Sequence, residues 1–214
     1  MTDLADDPIE RVVLAAAEGR FPSPDGGFTV VPPDATTGLH AVLSFTAHAV
    51  VATDRTTEQV AVAGVTGYEG AHAPATLLDL AGPGGWVGVL DVVLVARGTG
   101  HEGQALPITD RYDEHPRVAY AQRTRVAVEV RGDERGLVTL GRGLGGRREL
   151  GFESPLADPP PGTGRSLLRA ALAAVPDGEL VFASCAPGNA RSLRALLATG
   201  FTAIGGEVLL RPRT

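Results

Sequence analysis

The sequence contains no lysine, because all 19 of its basic residues are arginine. Mechanisms that need a lysine side chain, such as Schiff-base catalysis, are therefore excluded. Cysteine is almost as scarce, and the single Cys185 has no second cysteine with which to form an internal disulfide. The five histidines show no metal-ligand spacing such as HExxH; they are His40, His48, His72, His101 and His115. We therefore expect neither a disulfide nor a bound metal.

Long hydrophobic runs and an excess of positive charge are also missing. The longest apolar segment, residues 86–96, is interrupted by Asp91 and is shorter than the roughly 20 residues that cross a bilayer. The first residues are acidic, where a secretory signal peptide would be basic and then apolar. A net charge of -6 and a pI near 5.4 oppose general binding to polyanions. We expect a cytoplasmic protein with neither a membrane nor a nucleic-acid partner.

The composition is that of a globular protein with a real core. The chain has 214 residues, of which 43% are hydrophobic and 21% charged. A helical pattern over Pro8–Arg20 has Asp7 as its N-cap, and apolar periodicity predicts further elements. These are strands at 28–32, 39–53 and 86–96 and a helix within 58–80. The long polar segment 98–116 then marks the main boundary, so we divide the chain into an N-terminal α/β region, 1–105, and a C-terminal region, 106–214.

The C-terminal region carries the patterns that bear on function. A short helix near 117–122 precedes two strands, and the GRGLGG segment at 141–146 is interpreted as a hairpin turn because a strand follows it. Next come a strand (RELGFES), a turn (PPPGTG), a helix (RSLLRAALAAV), a strand (ELVFASC) and a helix from Asn189 to Gly200. A turn with free backbone amides at a helix start can bind phosphate.

These motifs resemble the GNAT superfamily of acyl-CoA N-acyltransferases over about residues 117–210. RELGFES is similar to the strand that precedes the family's coenzyme A turn, and PPPGTG occupies the place of that turn. The matching positions are Gly162, Gly164, Asn189, Ser192, Gly200 and Phe201. The resemblance implies an α/β (α+β) fold with a mixed, mostly antiparallel sheet flanked by helices. The N-terminal region is then an α/β extension that completes the sheet or covers the acceptor side.

The resemblance implies transfer of an acyl group, as from acetyl-CoA, to the amine of a small molecule or peptide. The diphosphate of coenzyme A would be held at the helix start, and the pantetheine arm would lie between diverging strands. The residues implied in this binding are Ser154, Gly162, Thr163, Gly164, Arg165, Ser166, Asn189 and Ser192. Glu149 and Glu153 lie on one face of their strand, and we interpret Glu149 as the general base. Backbone amides near Glu153 would stabilise the oxyanion.

The sequence departs from the family pattern in two places. Pro159 replaces a Gln or Arg and begins a run of three prolines without N–H groups, and Leu196 replaces a tyrosine that protonates the thiolate. Tyr120 is a candidate substitute for that acid. The alternative interpretation is a non-catalytic binding or scaffold protein with a degenerate coenzyme A site, in which Asn189 is only a helix cap and both glutamates mark a solvated strand face. A homodimer formed through the N-terminal sheet is compatible with either interpretation.

Overall fold

The computed structural model describes residues 7–156 and 158–213, which contain six α-helices and ten β-strands. The helices are α1 (Pro8–Ala17), α2 (Thr57–Val62), α3 (Pro74–Ala81), α4 (Pro116–Thr124), α5 (Thr163–Ala173) and α6 (Ala190–Leu197). The strands are β1 (Phe28–Val31), β2 (His40–Phe45), β3 (His48–Ala52), β4 (Trp86–Val87), β5 (Asp91–Arg97), β6 (Val126–Asp133), β7 (Gly136–Arg142), β8 (Arg148–Glu153), β9 (Leu180–Cys185) and β10 (Thr202–Arg211).

The chain forms two compact units. The first unit comprises the described residues up to Val93, the short segment Leu144–Gly146 and the C-terminal residues from Ile204. The second comprises Leu94–Gly143 and Arg147–Ala203. This division differs from the predicted single boundary between residues 105 and 106, because β10 returns to the first unit. The sequence analysis did not identify β10 as a strand.

The first unit is built on a sheet in which β10 pairs with β2, β2 with β3 and β3 with β1. The β1–β3 pair is parallel, whereas the β2–β3 and β2–β10 pairs are antiparallel. Valine-rich strands suit such a half-buried pleated surface. One face of the sheet packs with α2 and α3 around a hydrophobic core, whose buried members include Val42, Val51, Val60, Leu77, Leu80, Val208 and Leu210.

Several predicted elements of the first unit are divided in the structure. The predicted strand 39–53 is the hairpin β2–β3, which turns at Thr46–Ala47. The predicted helix within 58–80 is two helices, and the predicted strand 86–96 is β4 followed by β5. The turn between β2 and β3 contains no Gly, Pro, Asn or Asp, so the usual composition signal for a hairpin is absent there.

The second unit contains the order β9–β8–β7–β6. The β6–β7 and β7–β8 pairs are antiparallel hairpins, and the β8–β9 pair is parallel. The GRGLGG segment comprises the last two residues of β7 and most of the turn to β8, so it is part of a hairpin, as predicted. Counting both units, the described strands pair mostly antiparallel with helices flanking them, which confirms the predicted mixed α/β class.

Helices α4 and α5 pack on opposite faces of β8. A Cβ added to Gly151 would approach Arg117 and Arg125 of the α4 segment, and Gly164 of α5 faces the ring of Phe152. Consecutive residues of a strand point to opposite faces, so these contacts define the two sides. The cap predictions are also confirmed: the Asp7 carboxylate accepts hydrogen bonds from the amides of α1, and Gly200 adopts a φ of 93° after α6.

The hairpin turn at Ala47 predicts a stabilising substitution. Ala47 has a φ of 54°, a left-handed conformation that is unfavourable for a residue with a Cβ atom. We expect Ala47→Gly to raise the free energy of unfolding by about 0.5–1 kcal/mol. Urea denaturation would measure the change. The matched control is Ala49→Gly in β3, where alanine is fully buried in an extended strand and the same exchange should destabilise. Equal effects at both positions would contradict the interpretation.

Candidate functional site

Strands β8 and β9 separate soon after they meet. Their parallel ladder has two residue pairs, Glu149 with Phe182 and Leu150 with Ala183. Beyond Leu150, β8 continues to pair with β7 on its other side, as far as Glu153 opposite Leu137. The C-terminal end of β8 therefore keeps one neighbour within this unit and has a free edge toward β9. A gap between two parallel strands is a place where an extended ligand can lie.

The turn before α5 presents unbonded backbone amides. Thr163 donates from both its N–H and its hydroxyl to the carbonyl of Pro160, at 3.1 and 2.8 Å, which closes the turn. Gly162 adopts a φ of 94° as the N-cap, and no side chain caps the helix. Within the described residues, the amides of Gly162, Gly164 and Arg165 have no acceptor. They are oriented with the positive end of the helix dipole, which favours an anion.

A cavity of about 650 Å³ lies against this turn, entirely within the second unit. That volume is in the range of sites for small ligands and cofactors. Its walls are the end of β8, the turn and first residues of α5, and one face of α6. The lining residues are Arg117, Phe152, Glu153, Ser154, Leu156, Pro159, Pro160, Pro161, Gly162, Thr163, Gly164, Arg165, Asn189, Arg191, Ser192, Arg194, Ala195 and Ala198.

The cavity is cationic in a protein whose net charge is -6. Four arginines line it, and Glu153 is the single carboxylate among the described lining residues. Glu153 accepts a hydrogen bond from Nε of Arg117 at 3.1 Å, so this pair is neutral overall. No carboxylate of residues 7–156 or 158–213 forms an ion pair with the other three arginines, Arg165, Arg191 and Arg194. Guanidinium groups and helix amides together make a site suited to phosphate groups.

The polar residues at the far wall also have structural roles. Asn189 is the N-cap of α6, and its side-chain oxygen accepts from the amide of Ser192 at 3.1 Å. The hydroxyl of Ser154 donates to the carbonyl of Arg135 at 2.8 Å. The capping interpretation of Asn189 is thus confirmed. Ser154, Asn189 and Ser192 also line the cavity. Their structural hydrogen bonds therefore do not exclude contact with a ligand.

Glu149 lies outside the cavity, in a buried ion-pair network. Its carboxylate accepts from Nε of Arg125 and from Nε of Arg147, each at 2.8 Å, and the residue is 6% exposed. Burial alone raises the pKa of Glu149, but the charges of Arg147 and Arg125 and their hydrogen bonds outweigh burial and hold the pKa below its ordinary value. A general base must be reached by substrate and take up a proton. This environment opposes both, and the prediction for Glu149 has no support here.

The structure brings most of the other predicted site residues together. Of the ten predicted site residues, Glu149 included, eight line the cavity: Glu153, Ser154, Gly162, Thr163, Gly164, Arg165, Asn189 and Ser192. Ser166 is not among the lining residues, and its hydroxyl accepts a hydrogen bond from Arg135. The sequence analysis missed Arg117, Arg191 and Arg194. The last two share a helical face with Ala195 and Ala198 at spacings of three and four residues, which is a signal that the sequence contained.

Neither Leu196 nor the candidate proton donor Tyr120 is among the lining residues of the cavity. Leu196, at the position of the family tyrosine, is 1% exposed and belongs to the core. Tyr120 is on α4, with the guanidinium of Arg123 over its ring at 5.6 Å. Among the described lining residues there is no Tyr, His or Cys. The described residues also contain no cluster of three metal-ligating side chains and no helix long and apolar enough to cross a membrane.

The structure is thus a mixed α/β fold with a cavity whose helix amides and arginines suit an anionic ligand. No protein-family model and no curated protein matches the sequence. Among solved structures, the chain is similar to an acetyltransferase of the GNAT family from Colwellia psychrerythraea, at 11% identity with a TM-score of 0.35. The match covers 60% of this chain and 57% of that protein, a little over half its length. A likeness this distant carries no argument about function.

The Glu149 network predicts a large stability loss for Glu149→Gln. The substitution leaves two buried arginines without their shared carboxylate, which costs about 3–5 kcal/mol. Because the folded-state pKa is lowered, the contribution of Glu149 is present above the unfolded pKa of about 4.3 and is lost as the pH falls through the folded value. Denaturation from pH 7 to pH 3 should show the difference from wild type shrinking with acidification.

The control for this measurement is Glu179→Gln. Glu179 pairs with Nε of Arg148 at 2.7 Å, but both side chains are partly exposed, so we expect a loss of less than about 1 kcal/mol. If Glu149→Gln were no more destabilising than this control at neutral pH, the network would not have the structural importance that we assign to it.

Proposed function

We propose that this protein is a GNAT-type acyltransferase that binds an acyl-CoA and transfers its acyl group to an amine. One observation carries the proposal: the unbonded amides at the start of α5 open into the arginine-lined cavity beside the diverging ends of β8 and β9. A diphosphate needs several converging N–H donors and positive charge, and this turn supplies both. The gap between the strands would accommodate the pantetheine arm.

The residues that would hold coenzyme A fit its anionic groups. The amides of Gly162, Gly164 and Arg165 would bind the diphosphate, and the guanidiniums of Arg191 and Arg194 on α6 would bind further phosphate oxygens. Arg165 compensates for the N–H groups that the three preceding prolines lack. When bound, the thioester supplies an activated acyl group. Its leaving group is a thiolate with a reference pKa near 8.5, so the reaction can proceed without a proton donor.

Glu153 takes the role of base in this proposal. It is the carboxylate of the cavity, it is partly exposed, and it lies at the free end of β8. An alkyl ammonium with a pKa near 10 must lose a proton before it attacks, and Glu153 would accept it directly or through water. Arg117 orients the carboxylate through its 3.1 Å hydrogen bond.

Coenzyme A binding is predicted to depend on Arg165, Arg191 and Arg194, the cavity arginines that pair with no carboxylate in the described part of the chain. We expect Arg165→Gln, Arg191→Gln and Arg194→Gln each to weaken binding about tenfold, or about 1.4 kcal/mol, measured by calorimetry at low salt. The affinity of the wild type should fall with added salt because surface charge interactions are screened. Arg169→Gln is the matched control, since Arg169 is exposed on α5 and does not line the cavity. Unchanged affinity in all three variants would overturn the assignment of the binding residues.

Acyl transfer is predicted to depend on Glu153. We expect Glu153→Gln to lower kcat with an amine panel by about 10²–10⁴, the usual contribution of a positioned base, while the Kd for coenzyme A changes less than twofold. Glu179→Gln, which removes another arginine-paired and partly exposed carboxylate, should leave kcat unchanged. A Glu153→Gln variant with wild-type kcat would refute the role given to Glu153.

The second candidate is a non-catalytic protein that binds coenzyme A or another phosphorylated ligand. The absence of Tyr, His and Cys among the described lining residues favours it, as does the engagement of Glu149 in a buried network. Under both proposals, coenzyme A at 100 times its Kd should raise the free energy of unfolding by about 2.7 kcal/mol, and the thermal midpoint with it. Binding without turnover of any amine would then select the second candidate.

A further inference from the structure

A second group of reactive side chains lies in the first unit, outside the cavity. His48, at the start of β3, is 8% exposed, and both of its ring nitrogens have partners. Nδ1 is 2.8 Å from Oδ1 of Asp25, and Nε2 is 3.0 Å from Oγ1 of Thr29 in β1. The sequence places these residues within 24 positions of one another, but no spacing motif predicted their contact.

The hydrogen bonds fix the tautomer of His48. A carboxylate only accepts, so Nδ1 must carry the proton that lies toward Asp25. Nε2 is then the unprotonated nitrogen and accepts from the hydroxyl of Thr29. The bond from His48 also lowers the pKa of Asp25, which keeps that carboxylate ionised. This is the arrangement of an acid, a histidine and a hydroxyl that activates a nucleophile.

Thr29 lies at an open edge of the sheet, and the backbone amide of the next residue faces that edge. Thr29 is exposed, and β1 is the last strand of its sheet, paired only with β3 among the described strands. The amide of Ala49 donates to the carbonyl of Gly27, and that of Thr53 donates to the carbonyl of Val31. This alternation turns the backbone groups of residues 27, 29 and 31 toward β3 and the N–H of Val30 toward the open edge. The Val30 amide can therefore stabilise an oxyanion next to Thr29.

Two exposed aromatic rings lie against residues that neighbour this group. Phe21 is 51% exposed and lies 6.4 Å from the ring of Phe45, which is the cross-strand partner of His48. Tyr68 is 74% exposed and its ring lies against Gly26, next to Asp25. A ligand with an aromatic or apolar part can pack against these two rings.

We propose that Thr29, His48 and Asp25 form a second catalytic site that hydrolyses carboxylic esters with an aromatic or apolar group. Oγ1 of Thr29 attacks the ester carbonyl as its proton moves to Nε2 of His48. The bond to the alcohol breaks, and His48 returns the proton to the departing alkoxide, which leaves an acyl-Thr29 ester. Water then attacks this ester, His48 takes one proton from the water, and the acid is released as Thr29 regains its hydroxyl proton. No further reactant is needed.

The test uses the full-length protein with p-nitrophenyl acetate and, separately, with a fluorophosphonate probe followed by peptide mass spectrometry. We expect ester turnover above the buffer rate and a probe adduct on Thr29. Thr29→Val, which keeps the shape of the side chain, should abolish both, whereas Thr29→Ser should retain both. His48→Gln and Asp25→Asn should lower turnover by at least a hundredfold. Thr57→Val, an exposed threonine away from the group, should behave as the wild type.

The variants at Thr29 keep the proposal falsifiable even if loss of His48 impairs folding. Circular dichroism and the thermal midpoint of each variant establish that it is folded. Ester turnover or probe labelling that persists in folded Thr29→Val overturns the proposal. So does the absence of both in the folded wild type, which would leave the three residues as a structural tie between the turn at Asp25 and β3. The assay contains no coenzyme A, so its outcome is independent of the acyltransferase proposal.

Discussion

The buried carboxylate of Glu149 is the interaction on which the second unit depends. Arg125, at the C-terminal end of α4, donates to Glu149 on β8 and also to the hydroxyl of Thr139 on β7 at 3.2 Å. Arg147, in the connection between β7 and β8, donates to the other oxygen and lies over the ring of Phe182 on β9. One helix and three strands thus meet at a single side chain. Gly143 accommodates it, because a Cβ at that position would overlap the carboxylate.

The Glu149 network lies at the short ladder that joins β8 to β9. Glu149 and Leu150 are the residues of β8 that pair with β9, so the strands are held together at the network and separate beyond it. The cavity opens on the far side, where Phe152 and Glu153 no longer have β9 as a neighbour. The same strand therefore provides a rigid, buried carboxylate and, four residues later, an accessible one. Position along the strand, not residue type, decides which glutamate is available for chemistry.

Local chemistry explains which parts of the structure were predictable. The caps Asp7 and Asn189 and the stop at Gly200 depend on neighbouring residues, and their prediction succeeded. The mixed, mostly antiparallel class followed from the resemblance. The strand β10 and the return of the chain to the first unit depend on pairing with β2, more than 150 residues away. No local pattern encodes such a partner, and propensity yields to tertiary context.

The candidate site shows the same limit. Glycines and a helix start can be recognised from sequence, and the residues of the PPPGTG turn indeed border one cavity. The fate of Glu149 could not be predicted, because its two arginine partners come from separate segments, and one of them is 24 residues away. The alternation of a strand gives the face to which a side chain points, but not what covers that face.

The three prolines before α5 reduce the conformational entropy that the turn would lose on binding an anion. Proline fixes φ near -65°, so Pro159, Pro160 and Pro161 restrict the turn even in the unfolded chain, and the two hydrogen bonds from Thr163 to the Pro160 carbonyl restrict it further. A loop that is already ordered loses little conformational entropy when an anion is captured. The residues that remove three amide donors from the turn thereby keep the remaining donors aligned before any ligand arrives.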